Sequence, residues 1–302
     1  MKKLFYLIYL LTACSLIAQN NNEQIELRIE NDKLVLVDKY YTSGLFLSYK
    51  KSLDNNFVFK KNNKNALQLN IVLGNETYTP SNLMSSNSKD FDRPYAGWFF
   101  LKTELGSVKN NTALFVAVET GITGKEALSG KLQTWVHDFL NINDNPTWFQ
   151  EIEFKFLVNL KAKYILNKTI GKYQAFQYNI ESSIGTKDIF LENGISYVFG
   201  KFNNLKYSSR IGVIDRNTVN ELFGFINFGY RYVVHNTLIQ GSLDYKDTFF
   251  TINRAPHIIK FKAGIVFKTA RNTFRFIYNF NTKETPIANS HAYGTLSYSR
   301  DF

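Results

Sequence analysis

Residues 151–161 read EIEFKFLVNLK. Ile152, Phe154, Phe156, Val158 and Leu160 fall on one side of an extended chain and Glu151, Glu153, Lys155, Asn159 and Lys161 on the other, because successive side chains of a strand point to opposite faces. The same period of two returns elsewhere. Ile25, Leu27 and Ile29 alternate with Gln24, Glu26, Arg28 and Glu30; Leu67, Leu69, Ile71 and Leu73 with Gln68 and Asn70; Phe176, Tyr178 and Ile180 with Gln177, Asn179 and Glu181. Strands of a soluble sandwich run about five or six residues, whereas a tilted strand needs about nine or more to cross a bilayer. Several stretches here alternate for that long, with charge repeatedly on the polar side, which suits a wet lumen inside an apolar band.

Aromatic residues make up 16% of the 302 and charged residues 20%, and beyond residue 18 no apolar run approaches the ~20 residues of a membrane helix. Spanning helices are excluded. The predicted fold is all-β: a transmembrane antiparallel barrel of about 12 strands, centred near residues 28, 46, 70, 101, 116, 156, 179, 195, 226, 262, 276 and 297. The last stretch, HAYGTLSYSRDF, sets Ala292, Leu296, Tyr298 and Phe302 against Thr295, Ser297 and Ser299, an aromatic closing strand. Closure is required because an open edge in lipid leaves backbone groups unpaired, at several kcal/mol each. Long connections at 76–95, 122–148 and 233–254 then share the outer face, with shorter turns on the other. The middle one carries the helix signal, Leu128, Leu132, Val136, Phe139 and Leu140 recurring at helical spacing from Lys125 to Leu140, before Pro146.

The opening MKKLFYLIYLLTACSLIA reads as a signal peptide cleaved after Ala18, leaving residues 19–302 as one barrel domain. Leu11-Thr12-Ala13-Cys14 also spells a lipobox, the rival reading. Cys14 is the only cysteine, so a chain cleaved after Ala18 has no disulfide, thiolate metal site or cysteine nucleophile. The net charge of +11 points to an anionic partner such as phosphorylated lipid; export argues against nucleic acid.

No Gly-x-Ser-x-Gly elbow, His-Glu-x-x-His helix, phosphate loop or EF-hand pattern occurs. What remains is a set of short segments, each with a plain alternative. Gln133 and His137 share a helix face at i, i+4 and could place a general base beside a hydrogen-bonding partner, or be surface residues. Asn31 and Asp32 end the first strand and offer hard oxygens suited to Ca²⁺, or simply start a turn. Tyr40-Tyr41-Thr42-Ser43-Gly44 leads into the second strand, where the tyrosines could be an interfacial pair. Asp92-Arg93-Pro94-Tyr95-Ala96-Gly97-Trp98 enters the fourth, as a loop with an ion pair and an aromatic anchor. His235, His257 and His291 lack a matching constellation and read as structural or surface residues.

Together, Glu30-Asn31-Asp32, Tyr40 through Leu45, Asp92 through Trp98, and Gln133-x-x-x-His137 followed by Pro146 and Trp148 resemble the LpxR family of lipid A deacylases in order and spacing, over nearly the whole chain. The resemblance implies a 12-stranded outer-membrane barrel that removes the 3′-linked acyloxyacyl chain of lipid A in a Ca²⁺-dependent ester hydrolysis, its active site at the outer-leaflet face. It implies His137, Gln133, Asn31 and Thr42 as catalytic residues and Asp32 with Asn31 as metal ligands. Two positions depart from the family pattern. A functional lysine falls at Ser85 or a neighbour, with Lys89 nearby, and an acidic residue falls at Asn143, with Asp144 adjacent. A phospholipase barrel or a passive porin-like barrel would use the same strands.

Overall fold

Side chains that alternate between water and lipid force the sheet to curl shut, and in the computed structural model it does. The structure describes residues 22–35, 39–53, 66–140, 146–214, 219–243 and 249–302. The expected signal peptide with its cleavage site, and the rival lipobox reading, fall outside the described residues, as do Asn143 and Asp144.

Twelve antiparallel strands form one closed barrel in which each pairs with its neighbours in the chain: β1 (Glu23–Asn31), β2 (Tyr40–Leu53), β3 (Ala66–Thr79), β4 (Ala96–Val108), β5 (Thr112–Ile122), β6 (Phe156–Gly171), β7 (Gln174–Gly185), β8 (Asp188–Lys201), β9 (Glu221–Asn236), β10 (His257–Thr269), β11 (Asn272–Asn281) and β12 (His291–Asp301). β1 closes on β12, from Gln24 opposite Asp301 to Asn31 opposite Gly294. The seam extends to Phe302, whose N–H donates to the Glu23 carbonyl at 2.8 Å.

Every predicted strand centre falls inside its strand, residue 156 at the very start of β6. The 151–161 stretch alternates as expected only from Phe154 onward. Before that, the Ile152 N–H donates to the Tyr95 carbonyl. Ile152 is thereby turned into the core at 1% exposure, while Phe154 and Phe156 remain exposed at 53% and 65%.

Outward positions carry the exposed apolar side chains, among them Leu45, Leu47, Leu73, Leu101, Leu105, Val116, Val118, Val158 and Leu160. Inward positions carry paired charge: Lys50 with Glu26 at 3.0 Å, Lys161 with Glu119 at 2.8 Å, and Arg231 and Lys260 with Glu192 at 2.6 and 2.9 Å. An ion taken out of water costs several kcal/mol unless matched, so these pairs answer one another across adjacent strands or, for Lys260 and Glu192, across β9.

Residues enter the lumen from both ends. At the rim that carries the 80–95, 123–155 and 237–256 connections, a one-turn helix, Thr237–Gln240, inserts Leu238 among the inward Phe46, Val72, Trp98 and Phe100. At the opposite rim the 202–220 connection is long, against the expectation of short turns there. Its residues 202–214 fold inward, packing Leu205 and Val213 on Val108, Ala113, Phe115 and Ile165. Glu221 holds it, accepting from Ser208 Oγ at 2.8 Å, Ser209 N at 2.8 Å and Ser209 Oγ at 2.6 Å. Between the two ends lies a cavity of ≈ 370 Å³ lined by both signs of charge, Arg28, Lys102, Glu104, Glu181, Glu192 and Lys262 among them.

Candidate functional site on the outer wall of the barrel

Strand parity locates the candidate residues. On β3 the odd positions face outward, and Leu73 is 43% exposed there; one step toward the loop-rich rim, Asn75, Thr77 and Thr79 fall to 9%, 1% and 0%. Their cover is the 123–155 connection, which lies against the outside of the wall and not over the lumen. Asn75 Nδ2 donates to the Ala127 carbonyl at 2.8 Å, and Ser129 Oγ donates to Asn75 Oδ1 at 3.0 Å. On β4, Gly97 allows this approach: a Cβ there would lie 2.5 Å from Ser129 Oγ and 2.8 Å from Ser129 Cβ.

Ser129 begins helix α1 (Ser129–Leu140). The run from Lys125 is not one helix, as the spacing suggested. A 3-10 turn over Lys125–Ala127 ends at Leu128 with φ +60°, and the α-helix starts after that break. The helix is also inside out by the standard of a soluble protein. Its polar stripe, Ser129, Gln133 and His137, is buried at 1%, 4% and 3% exposure, while Leu128, Trp135 and Phe139 are 53%, 62% and 60% exposed.

Gln133 is held by an aromatic support. Trp148 Nε1 donates to Gln133 Oε1 at 3.0 Å, the Trp148 ring lies 5.3 Å from that of Tyr95, and Tyr95 OH donates to the Leu83 carbonyl at 2.8 Å. Gln133 Nε2 is buried with no hydrogen-bond partner, which leaves a donor beneath α1 available to a ligand or water.

The other candidates lie on the same wall at the same rim. Asn31, at an outward position of β1, pairs across to Ser43 of β2. Its Oδ1 accepts from the Lys33 N–H at 2.8 Å, and Asp32 Oδ2 accepts from the Lys39 N–H at 2.7 Å, so both side chains shape the turn that follows β1. That turn, Asp32–Val35, folds back over β12, where Gly294 makes room for Leu34: a Cβ on Gly294 would lie 2.7 Å from Leu34 Cβ.

Thr42 is the extra residue of a β-bulge, since the β2 to β3 register slips between Tyr41 and Ser43. Bulges at barrel rims re-aim side chains, and here Thr42 Oγ1 reaches Thr79 Oγ1 at 2.7 Å. Tyr40 precedes it with φ +71°, a conformation that costs a non-glycine residue about 1–3 kcal/mol and persists only where its surroundings impose it. Asp92 imposes it. Its Oδ2 accepts from Tyr40 OH at 2.8 Å, its Oδ1 from the Ser81 N–H at 2.9 Å, and its carbonyl from Thr285 Oγ1 at 2.6 Å.

Three local readings change. Tyr40 and Tyr41 are buried at 2% and 6%, not interfacial. Trp98 is no surface anchor but sits at 0% exposure inside the barrel, stacked on Phe100. Asp92 and Arg93 do not pair with each other: Arg93 Nη1 meets Glu284 Oε2 at 3.1 Å. Of the remaining histidines, His235 is buried against Thr237 Oγ1, His257 contacts Tyr230 OH, and His291 packs on Tyr40 and Tyr293.

The candidate residues thus share the exterior of β1 to β4 at one rim: Asn31 and Asp32 at the end of β1, Thr42 beside Thr79 on β2 and β3, and the buried Gln133/His137 face of α1, which packs on β3 and β4. Thr79 was missed as a site-builder, and Asp92 and Trp148, which stand in the segments that carry the resemblance, were given no part in holding the site. The signal for Thr79 was present: the outward column of β3 turns from leucine and isoleucine to Asn75, Thr77 and Thr79 at the rim, which means that something other than lipid covers it.

Among the described residues no three His, Cys, Asp or Glu side chains converge on one point. The oxygens of Asp32 and Asn31 are hard donors with a single carboxylate between them, which suits Ca²⁺ in kind and leaves the rest of a shell to carbonyl oxygens and water. Behind α1, Glu151 is 8% exposed, and burial pushes its carboxyl up to about 7, against the pull of Lys125 and with help from Glu126.

Comparison with known proteins bears on the family and the fold. The family described as Outer membrane protein LpxR matches residues 4–302. The structure of LpxR from Salmonella typhimurium superposes with a TM-score of 0.76 at 19% identity, covering 92% of this chain and 100% of that one. The β domain of the Bordetella autotransporter BrkA gives 0.46 at 8% identity, covering 93% and 98%. The translocator domain of NalP from Neisseria meningitidis gives 0.43 at 10%, covering 100% and 96%. No curated protein sequence matches the chain.

Proposed function

This chain belongs to the LpxR family of outer-membrane barrels, and from that membership we propose that it is a Ca²⁺-dependent lipid A 3′-O-deacylase, acting from the outer leaflet on lipopolysaccharide. The observation that carries the proposal is the side of the wall on which the candidate groups lie. Gln133 and His137 are buried against the exterior of the barrel, and Asn31, Thr42 and Thr79 occupy outward strand positions at the same rim. A lipid whose acyl chains remain in the bilayer can present an ester near its headgroup to groups on that side without being extracted. With the loop-rich rim outside the cell, that leaflet is the one rich in lipid A.

In the proposed reaction the His137 imidazole takes a proton from water as the water oxygen bonds to the acyl carbonyl carbon. The ester C–O bond then breaks, and the imidazolium returns the proton to the departing sugar 3′-oxygen, giving fatty acid and free hydroxyl. Gln133 Nε2, a buried donor without a partner, orients water or the carbonyl, and Thr42 positions substrate from β2. A Ca²⁺ held by Asp32 and Asn31 would supply Lewis-acid stabilisation of the developing oxyanion.

A wide passive pore is disfavoured by the residues that enter the lumen, Leu238 from one end and Leu205 and Val213 from the other. The test is mass spectrometry of lipid A incubated with the refolded protein, with and without EDTA, and of phosphatidylethanolamine in parallel. Loss of one acyloxyacyl group from lipid A alone, only when Ca²⁺ is present, is the expected result. Cleavage of phosphatidylethanolamine instead makes the protein a phospholipase, and no cleavage of either lipid removes the proposal.

A further inference from the structure

The exposed face of α1 has no protein partner among the described residues. Trp135 and Phe139, 62% and 60% exposed, stack on each other with ring centroids 5.8 Å apart, and Leu128 continues the stripe at 53%. Because the opposite face of α1 lies on the outer wall of β3 and β4, this aromatic face points away from the barrel, on the rim side of the exposed Leu73 and Leu101. Phe154 and Phe156, at the rim end of β6, belong to the same exposed apolar band.

We propose that α1 is an interfacial helix, seated in the leaflet at the loop-rich rim with Trp135 and Phe139 among the upper acyl chains. Continuity with that band is what selects lipid over a second protein. The flanking chemistry is that of a headgroup layer: Lys131 and Lys125, with Asp138 and Glu151, border a cleft of ≈ 570 Å³ between α1 and residues 146–151, and ammonium groups beside exposed aromatics suit a lipid surface. Seated this way, α1 fixes the depth of the residues beneath it, whatever bond is cleaved there.

The experiment uses the full chain, folded into vesicles of phosphatidylcholine whose acyl chains carry bromine near the glycerol end, and compares its tryptophan emission with that of Trp135→Phe protein. Trp98 inside the barrel and Trp148 beneath Gly130 provide a background common to both, and altered electrophoretic mobility without heating confirms that each barrel has folded. The expected result is that the emission lost to bromine is markedly smaller in W135F than in the parent. Equal loss in both proteins overturns the proposal. So does emission from Trp135 that iodide in the aqueous phase quenches while bromine does not. A dimer trapped by cross-linking and abolished by W135F assigns the face to a second copy instead, with the same consequence.

Discussion

Trp148 donates its indole N–H to the side-chain carbonyl of Gln133 at 3.0 Å, which fixes the amide so that its nitrogen is left buried and unpartnered. The two residues belong to opposite ends of one long connection. Their contact decides whether α1 presents a fixed donor or a free-swinging amide.

Trp148→Phe keeps an aromatic ring against Tyr95 and removes only the donor. Loss of one such hydrogen bond, about 1–1.5 kcal/mol, corresponds to roughly a tenfold fall in kcat/KM for lipid A hydrolysis. A steady-state comparison on folded barrels checks this, and unchanged kinetics means that Trp148 does not position Gln133.

Gly97→Ala places a methyl group against Ser129 Oγ and Cβ, so the start of α1 has to shift away from β4. Overpacking of this kind costs about 1–3 kcal/mol. The barrel should still fold, since strand pairing is untouched, while hydrolysis drops. Protease cutting within 123–155 should rise in the variant, and its absence contradicts the close approach described for Gly97.

Asp92→Ala removes the acceptor that holds Tyr40 and Ser81. A lost bond to a charged group is worth about 1.5–3 kcal/mol, and the left-handed Tyr40 has less to impose its conformation. Lower thermal stability together with reduced activity is expected. Tyr40→Phe removes the bond to Asp92 and also the one that the hydroxyl accepts from the Asn289 N–H, so it too should lower thermal stability, while leaving the Ser81 bond to Asp92 in place.

Glu151 gives the 123–155 connection a pH dependence whose sign follows from burial. Its carboxyl is held at about 7, so it binds a proton more tightly in the folded loop than in an unfolded one. The stabilisation is complete below the ordinary carboxyl pKa and is lost as the pH rises through about 7. Amide protection factors in residues 146–151, corrected for the base-catalysed rise in the intrinsic exchange rate, should therefore be lower at pH 8 than at pH 6, and Glu151→Gln should abolish that difference in protection.

The barrel was legible in the sequence because its cause is local: a wall between water and lipid writes a period of two into every strand, and all twelve centres follow from it. Resemblance in four short segments supplied the candidate residues, which periodicity could not. What the sequence concealed were relationships between distant positions. The burial of the polar face of α1 depends on the exterior of β3 and β4, so the usual rule that the apolar face turns inward misleads for this helix. The inward folding of 202–214 was hidden for a similar reason: its anchor, Glu221, looks like any strand-initial carboxylate until Ser208 and Ser209 are seen to donate to it.

His137 is where the proposed chemistry is most exposed to test. Acyl release from lipid A in outer-membrane vesicles, measured for the parent and for His137→Ala protein of equal barrel content, is expected to fall by at least about 10²-fold, the usual contribution of a positioned general base. Release from the His137→Ala protein at the parent's rate contradicts hydrolysis by this imidazole on the outer wall.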